Sequence, residues 1–205
     1  MLPRTPPDRL HIILQRTSEE VFEPDFASAM PLVQFVAFGA HERLFGWVRL
    51  RADRLTDLLN AHMELRLTHV DIESLEGAAT RSVDEVLIRC DELIAVHASE
   101  PRGDEARRRL TRTHAIAIQS GNYLIGGHIH APPGSDPIAS VLDRPRMVPL
   151  TDAWIEYWSG DERTKQSSGT IIVNRERIDW MRVVTDDDLF AGLLRPSPAT
   201  ARMAS

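Results

Sequence analysis

The chain has 205 residues, of which 42% are hydrophobic and 26% are charged, a composition typical of a soluble globular protein. Its net charge of −6 argues against non-specific phosphate binding by the whole molecule. The sequence contains no apolar run of the roughly 18 residues that a membrane helix needs, and its first residues carry no apolar signal core. The one cysteine, Cys90, fits a reducing compartment, so we expect a cytoplasmic protein.

An internal repeat is the main feature of the sequence, and it predicts two copies of one small β unit. Copy one covers residues 33–98 and copy two covers residues 114–184. We expect an N-terminal arm over residues 1–32, a charged linker over residues 99–113 and a flexible C-terminal tail over residues 185–205. Since a repeat unit is one piece of structure used twice, both copies should have the same topology.

Each copy opens with a predicted β-hairpin. The apolar run Val36–Phe38 is followed, after a polar turn, by Leu44–Gly46. Ile116–Ile118 and Leu124–Gly126 stand at the same spacing in copy two. Glycine and small polar residues between the two runs are typical of hairpin turns.

A short helix is predicted next in each copy, from apolar residues at i, i+3 and i+4. The stripe consists of Leu55, Leu58 and Leu59 in copy one and of Ile138, Val141 and Leu142 in copy two. Asp53 and Asp136 are predicted as the N-caps, and Pro137 suits the first helical position because it lacks an N–H. About two helical turns with one apolar face follow from this pattern.

The next strand of each copy alternates between apolar and polar residues, and the alternation changes phase once. The change falls at Thr68-His69 in copy one and at Thr151-Asp152 in copy two. A strand that moves its inward face by one residue contains a bulge or a sharp bend. The shared position of the break supports the repeat.

The closing segment of copy one carries a family resemblance. Val86–Ile94 resembles the second signature of the Sm-like family, with Cys90 where glycine is usual, and Asp57–Asn60 with the strand after it is similar to the first. The resemblance implies a small, strongly bent, five-stranded β-barrel. The expected fold class is therefore mainly β with short helices, built as two tandem Sm-like barrels.

The same resemblance implies a nucleic-acid site in copy one, formed by Asp57, Asn60 and Arg89. Copy two has Asp143 and Asn174 in place of the last two residues. These substitutions and the acidic charge lead us not to expect nucleic acid as a partner. An RNA-binding post-transcriptional regulator that uses copy one is the alternative function.

Three aromatic residues of copy two are candidates for a protein contact: Trp154, Tyr157 and Trp158. Their counterparts in copy one are polar or aliphatic, and large aromatic side chains are enriched in protein interfaces. Packing between the repeats and a base-stacking platform are the other interpretations.

No pattern in the sequence indicates a catalytic site, a cofactor or a small-molecule substrate. His128 and His130 are weak candidates for metal ligands, because two ligands without a third make a poor site. We interpret Cys90 as structural. The sequence thus favours a non-enzymatic assembly, scaffold or adaptor protein, which associates with itself or with another protein.

Overall fold

A computed structural model describes residues 30–77, 79–98 and 111–190. In the first part of the chain, the elements are β1 (Leu32–Phe38), β2 (Glu42–Arg49), α1 (Leu55–Ala61), β3 (Glu64–Ser74), β4 (Thr80–Arg89) and β5 (Ala95–Ala98). In the second part, they are β6 (Arg112–Ser120), β7 (Tyr123–Ala131), α2 (Pro137–Leu142), β8 (Met147–Ser159), β9 (Glu162–Asn174), β10 (Trp180–Val183) and α3 (Asp186–Phe190). The protein is therefore mainly β with short helices, as predicted.

All ten strands of the described residues belong to one antiparallel sheet in the order β10-β6-β7-β8-β9-β5-β1-β2-β3-β4. The first half-sheet consists of β5-β1-β2-β3-β4, and the second half-sheet consists of β10-β6-β7-β8-β9. Each half has the same succession of strands, with the last strand of the half placed beside its first. The two halves meet where β5 pairs with β9, and we call this pairing the junction.

The predicted closed barrels are wrong, because the sheet is open. Closing the first half into a barrel would require β5 to pair with β4, but β5 pairs with β1 on one side and with β9 on the other. Both hydrogen-bonding edges of β5 are thus already occupied. Within the described residues, β4 pairs with β3 alone and β10 pairs with β6 alone, so these two end strands form the edges of the sheet.

The bend predicted in the long strand of each half is present. His69 has a φ of 49° and Asp152 has a φ of 47°, a conformation that is unfavourable for residues other than glycine. The neighbouring strand changes register opposite each of these residues. The inward face of β3 accordingly passes from Leu67 to Val70 without strict alternation.

A glycine lies against each bend. The positions of these two glycines correct the predicted alignment of the first hairpin in the two copies. A Cβ at Gly46 would lie 2.9 Å from Val70 Cγ2, and one at Gly127 would lie 2.9 Å from Ala153 Cβ. Gly127, and not Gly126, is therefore the counterpart of Gly46. The predicted match was wrong by one residue in this hairpin, because both glycines of the Gly126-Gly127 pair fit the apolar pattern equally well.

Both predicted helices are present, but their N-termini differ. Asp136 caps α2, since its side chain accepts a hydrogen bond from the Ile138 N–H, and Pro137 opens the helix as expected. The prediction that Asp53 caps α1 is wrong. The N-cap is Arg54, which makes no side-chain capping bond, because the extended backbone continues one residue further than expected.

The predicted arm, linker and tail fall mostly outside the described residues. Of the linker, only residues 111–113 are described, and β6 begins at Arg112. The first part of the predicted flexible tail is instead helical, since α3 covers Asp186–Phe190. Leu189 is buried against Trp154, and this packing holds the short helix to the sheet.

The core is divided into two main clusters that each cross the junction. The first-half cluster includes Met147 and Ile172 from the second half. The second-half cluster includes Phe38, Leu75 and Ile94 from the first half. Each half therefore completes the core of the other.

We expect Gly127→Ala to lower the free energy of unfolding by about 1–3 kcal/mol, because the added methyl group has no room. Its Cβ would lie 2.9 Å from Ala153 Cβ and 3.0 Å from Leu150 Cβ. Denaturant unfolding measures this change. Gly169→Ala in β9 is the matched control, since a Cβ there meets no atom within 4 Å. Equal losses in both variants would contradict the close approach at Gly127.

Candidate interaction surfaces

The junction begins as a short backbone ladder. Its paired residues are Ala95 with Val173, Val96 with Ile172 and His97 with Ile171. The N–H of Asn174 extends the ladder by donating to the Ile94 carbonyl over 2.9 Å. All of these strand residues are apolar or buried except the half-exposed His97, so the ladder lies inside the folded chain.

Two asparagine side chains bind backbone groups at one end of the junction, where Met147 of β8 pairs with Asn174 of β9. The Asn60 amide donates to the Met147 carbonyl over 2.9 Å and accepts from the Met147 N–H over 2.8 Å. The Asn174 amide donates to the carbonyls of Leu93 and Asp91 over 2.9 and 3.2 Å. An asparagine carries both a donor and an acceptor, and Asn60 uses both on a single backbone residue.

An aromatic cluster packs across the junction. The rings of Phe38, Tyr123 and Tyr157 lie with their centroids 5.7 Å apart in each pair. The Tyr123 hydroxyl donates to the Gly39 carbonyl of the first half over 2.7 Å. The buried Arg43 guanidinium donates to the Tyr157 hydroxyl and lies 4.6 Å from the centroid of the Phe45 ring. Apart from the contact between Arg43 and Phe45, these contacts connect residues that are far apart in the chain.

Two of the three predicted interaction aromatics are buried in the chain. Tyr157 is 1% exposed and belongs to the junction, which agrees with packing between the repeats. Trp154 is 2% exposed, and its Nε1 donates to the Leu189 carbonyl over 3.1 Å. Trp158 is 49% exposed, so it is the member of this group that a partner can reach without rearrangement.

The predicted nucleic-acid residues do not form one open site. Asn60 is engaged at the junction, as described above, and Asp57 lies exposed on α1. The Arg89 guanidinium binds Asp91 through two hydrogen bonds of 2.7 and 3.2 Å, and it also lies 3.7 Å from Glu92. The positive charge of Arg89 is thus balanced by two neighbouring carboxylates.

The two candidate metal ligands have separate partners. His128 Nε2 lies 2.9 Å from Asp186 Oδ1, and His130 Nε2 lies 3.0 Å from Thr151 Oγ1. Among the residues that the structure describes, no group of three or more His, Cys, Asp or Glu side chains is placed to hold a metal ion. The His128–Asp186 pair instead holds α3 against β7.

Cys90 is fully buried in the first-half core, at the end of β4. Burial raises the pKa of its thiol to about 12, so the thiolate is scarce at neutral pH. Because the thiolate is the reactive form, a nucleophilic role is disfavoured. The thiol is instead a useful probe, since reagents reach it only when this core opens.

The end strands β10 and β4 are the counterparts of the junction strands β5 and β9, but side chains at the equivalent positions are more exposed. Leu59 at the junction is completely buried, whereas its counterpart Leu142 is 55% exposed. Ala95 of β5 is completely buried, whereas its counterpart Trp180 of β10 is 44% exposed. Asn174 of β9 is also completely buried, whereas its counterpart Arg89 of β4 is exposed. The same structural positions are covered in the middle of the sheet and uncovered at its ends.

Sequence reasoning missed the junction residues Arg43, Tyr123 and Asn174. Their role arises from pairing between β5 and β9, which no local pattern encodes. The difference in exposure between Leu59 and Leu142 has no local signal, because both positions hold leucine.

Comparison with protein-family models, with curated proteins and with solved structures found no match to this chain. In the described ranges, the helices are too short or too polar to cross a bilayer.

We expect the two tyrosines, the only ones in the sequence, to resist ionisation in the native protein. Burial raises the pKa of Tyr123 and of Tyr157 above the ordinary value of about 10. Their contribution to stability is therefore fully present below pH 10 and is lost as the pH rises beyond it. Alkaline titration followed by tyrosinate absorbance and circular dichroism should show ionisation only together with unfolding.

Tyr157→Phe is the control for this titration, since it should halve the tyrosinate signal released on unfolding. Tyrosinate absorbance that rises near pH 10 while the circular dichroism stays native would contradict the burial of the cluster.

Proposed function

We propose that this protein is a non-enzymatic assembly, scaffold or adaptor protein of the cytoplasm that acts through protein–protein contacts of a duplicated Sm-like β unit. One observation carries the proposal. Two half-sheets of the same strand order join edge to edge, and within the described residues this leaves one unpaired backbone edge at each end of the sheet, on β10 and on β4. Unpaired edges are templates for pairing with another chain.

Correspondence between the halves supports the duplication. Leu65 pairs with Ile88 in the first half, and Val148 pairs with Val173 in the second half at the equivalent place. The bend residues His69 and Asp152 both have a positive φ. Both halves also contain a short helix between their second and third strands. The Sm-like assignment adds the resemblance of the Val86–Ile94 segment, which spans the end of β4 and the turn before β5.

The engaged polar groups favour protein contacts over nucleic acid. Asn60 and Arg89 are occupied by Met147 and by acidic neighbours, and the chain carries a net charge of −6. Cys90 is packed in the first-half core, and His128 is paired with Asp186, so both side chains have structural roles. The proposed partners are therefore proteins, including further copies of this chain.

A capture experiment tests the proposed function. Full-length tagged chain from the source cell should recover at least one protein partner, and Leu87→Pro should reduce that recovery at least several-fold. Proline removes a backbone N–H from the edge of β4 and cannot donate to an added strand. Quantitative mass spectrometry of the two samples measures the change.

Trp158→Ser tests the exposed aromatic candidate separately, because Trp158 lies on a strand inside the sheet and not on an end strand. Protection of Cys90 from a thiol reagent verifies that each variant is folded. Equal recovery of all partners by the wild type, Leu87→Pro and Trp158→Ser would contradict a function carried by the edges.

The alternative, an RNA-binding regulator, makes the opposite prediction. We expect no measurable affinity for poly-U or poly-A oligomers at physiological salt, because the acidic chain repels phosphates. Fluorescence anisotropy measures this binding. Sub-micromolar binding that weakens in Arg89→Ala, but not in Arg66→Ala, would favour the RNA-binding function.

A further inference from the structure

The internal junction provides a template for contact between chains. It joins β5 of the first half to β9 of the second. Their counterparts are β10 and β4, the two end strands. A second chain can therefore place its β4 beside the β10 of the first chain in the same register. The joint would pair Trp180 with Ile88 and Met181 with Leu87.

We propose that copies of this chain associate end to end, through antiparallel pairing of β10 of one chain with β4 of the next. This inference rests on the proposed function and names a second copy of the chain as the partner. The contact is heterologous, because the two surfaces that meet are different. Successive additions give a closed ring or an open filament, according to the rotation at each joint.

Backbone direction supports this pairing. The Asn174 N–H points across the junction to Ile94, and N–H directions alternate along a strand, so the Ile172 N–H points the same way. Leu87 and Arg89 are the counterparts of Ile172 and Asn174. Their N–H groups consequently point away from β3, towards the open edge of β4.

Apolar side chains at the two ends also match the template. At the junction, Ile172 enters the core of the opposite half and belongs to the same cluster as Leu59. At the ends, Leu87 is half-buried and Leu142 is 55% exposed, so the end-to-end contact would cover an equivalent pair of side chains. Trp180, which would pair with Ile88, adds an exposed indole on the opposite face of the two strands.

Two substitutions at the position of the Asn60–Met147 contact make the end-to-end joint weaker than the junction. Asp143 stands where Asn60 stands at the junction, and Glu64 stands where Met147 stands. A carboxylate accepts the backbone N–H but cannot donate to the carbonyl, so one of the two Asn60-type hydrogen bonds is lost. Asp143 and Glu64 would also repel each other. We therefore expect association to strengthen as salt screens this repulsion.

Sedimentation velocity of the purified full-length chain, over a range of protein and salt concentrations, tests the proposal. The wild type should form oligomers that grow with protein concentration. Asp143→Asn combined with Glu64→Met restores the Asn60–Met147 pair of the junction and should lower the dissociation constant on the order of tenfold. Leu142→Ser should raise the dissociation constant by about tenfold or more, because it removes apolar area that only the joint covers.

Asp57→Asn combined with Asp161→Asn is the charge-matched control, since both exposed residues lie outside the proposed joint, on α1 and in the turn between β8 and β9, and should leave the dissociation constant unchanged. Protection of Cys90 and an unchanged thermal midpoint for Leu142→Ser would show that the fold is intact. A wild-type chain that stays monomeric at its highest soluble concentration, at low and high salt, would overturn the proposal. An oligomer that is insensitive to both Leu142→Ser and the double variant would overturn it too.

Self-association and binding of another protein at the edge of β4 can be distinguished by experiment. A purified chain that stays monomeric, but loses a captured partner in Leu87→Pro, would overturn self-association and leave the edge as a contact for another protein.

Discussion

Pairing between β5 and β9 is the constraint on which the rest of the structure depends. It occupies the edge of β5 that barrel closure would need, and so it keeps the sheet open. It also brings Met147 and Ile172 into the core of the first half, and Phe38 into the core of the second. A half of this size would bury little apolar surface by itself, and the shared core overcomes that limit.

Polar groups give the junction its register. A one-residue slip of β9 against β5 would turn its apolar side chains to the other face. It would also remove Asn60 from Met147 and Asn174 from the carbonyls of Leu93 and Asp91. Buried amides without partners are costly, so these two residues penalise every alternative alignment. The hydrophobic contacts hold the halves together, and the asparagines select one arrangement.

Local features of the fold were predictable from the sequence. The pairing of β5 with β9, which joins the two halves and keeps the sheet open, was not. Apolar spacing located both helices, and the phase break located the bends at His69 and Asp152. The partner of β5 depends on a strand far along the chain, which periodicity does not report. The burial of Trp154 under Leu189 was missed for the same reason, because α3 lies in a segment that has the composition of a flexible tail.

The distance along the chain between β5 and β9 has a consequence for synthesis. Val96 and Ile172 are paired but lie 76 residues apart, so β5 leaves the ribosome well before its partner. At typical elongation rates this interval lasts roughly 4–15 s. During that time, the nascent first half presents an open β5 edge and an uncovered Leu59. A neighbouring nascent chain can then supply β9 in place of the cognate strand, and an intertwined dimer is the characteristic misfolded product of such a delay.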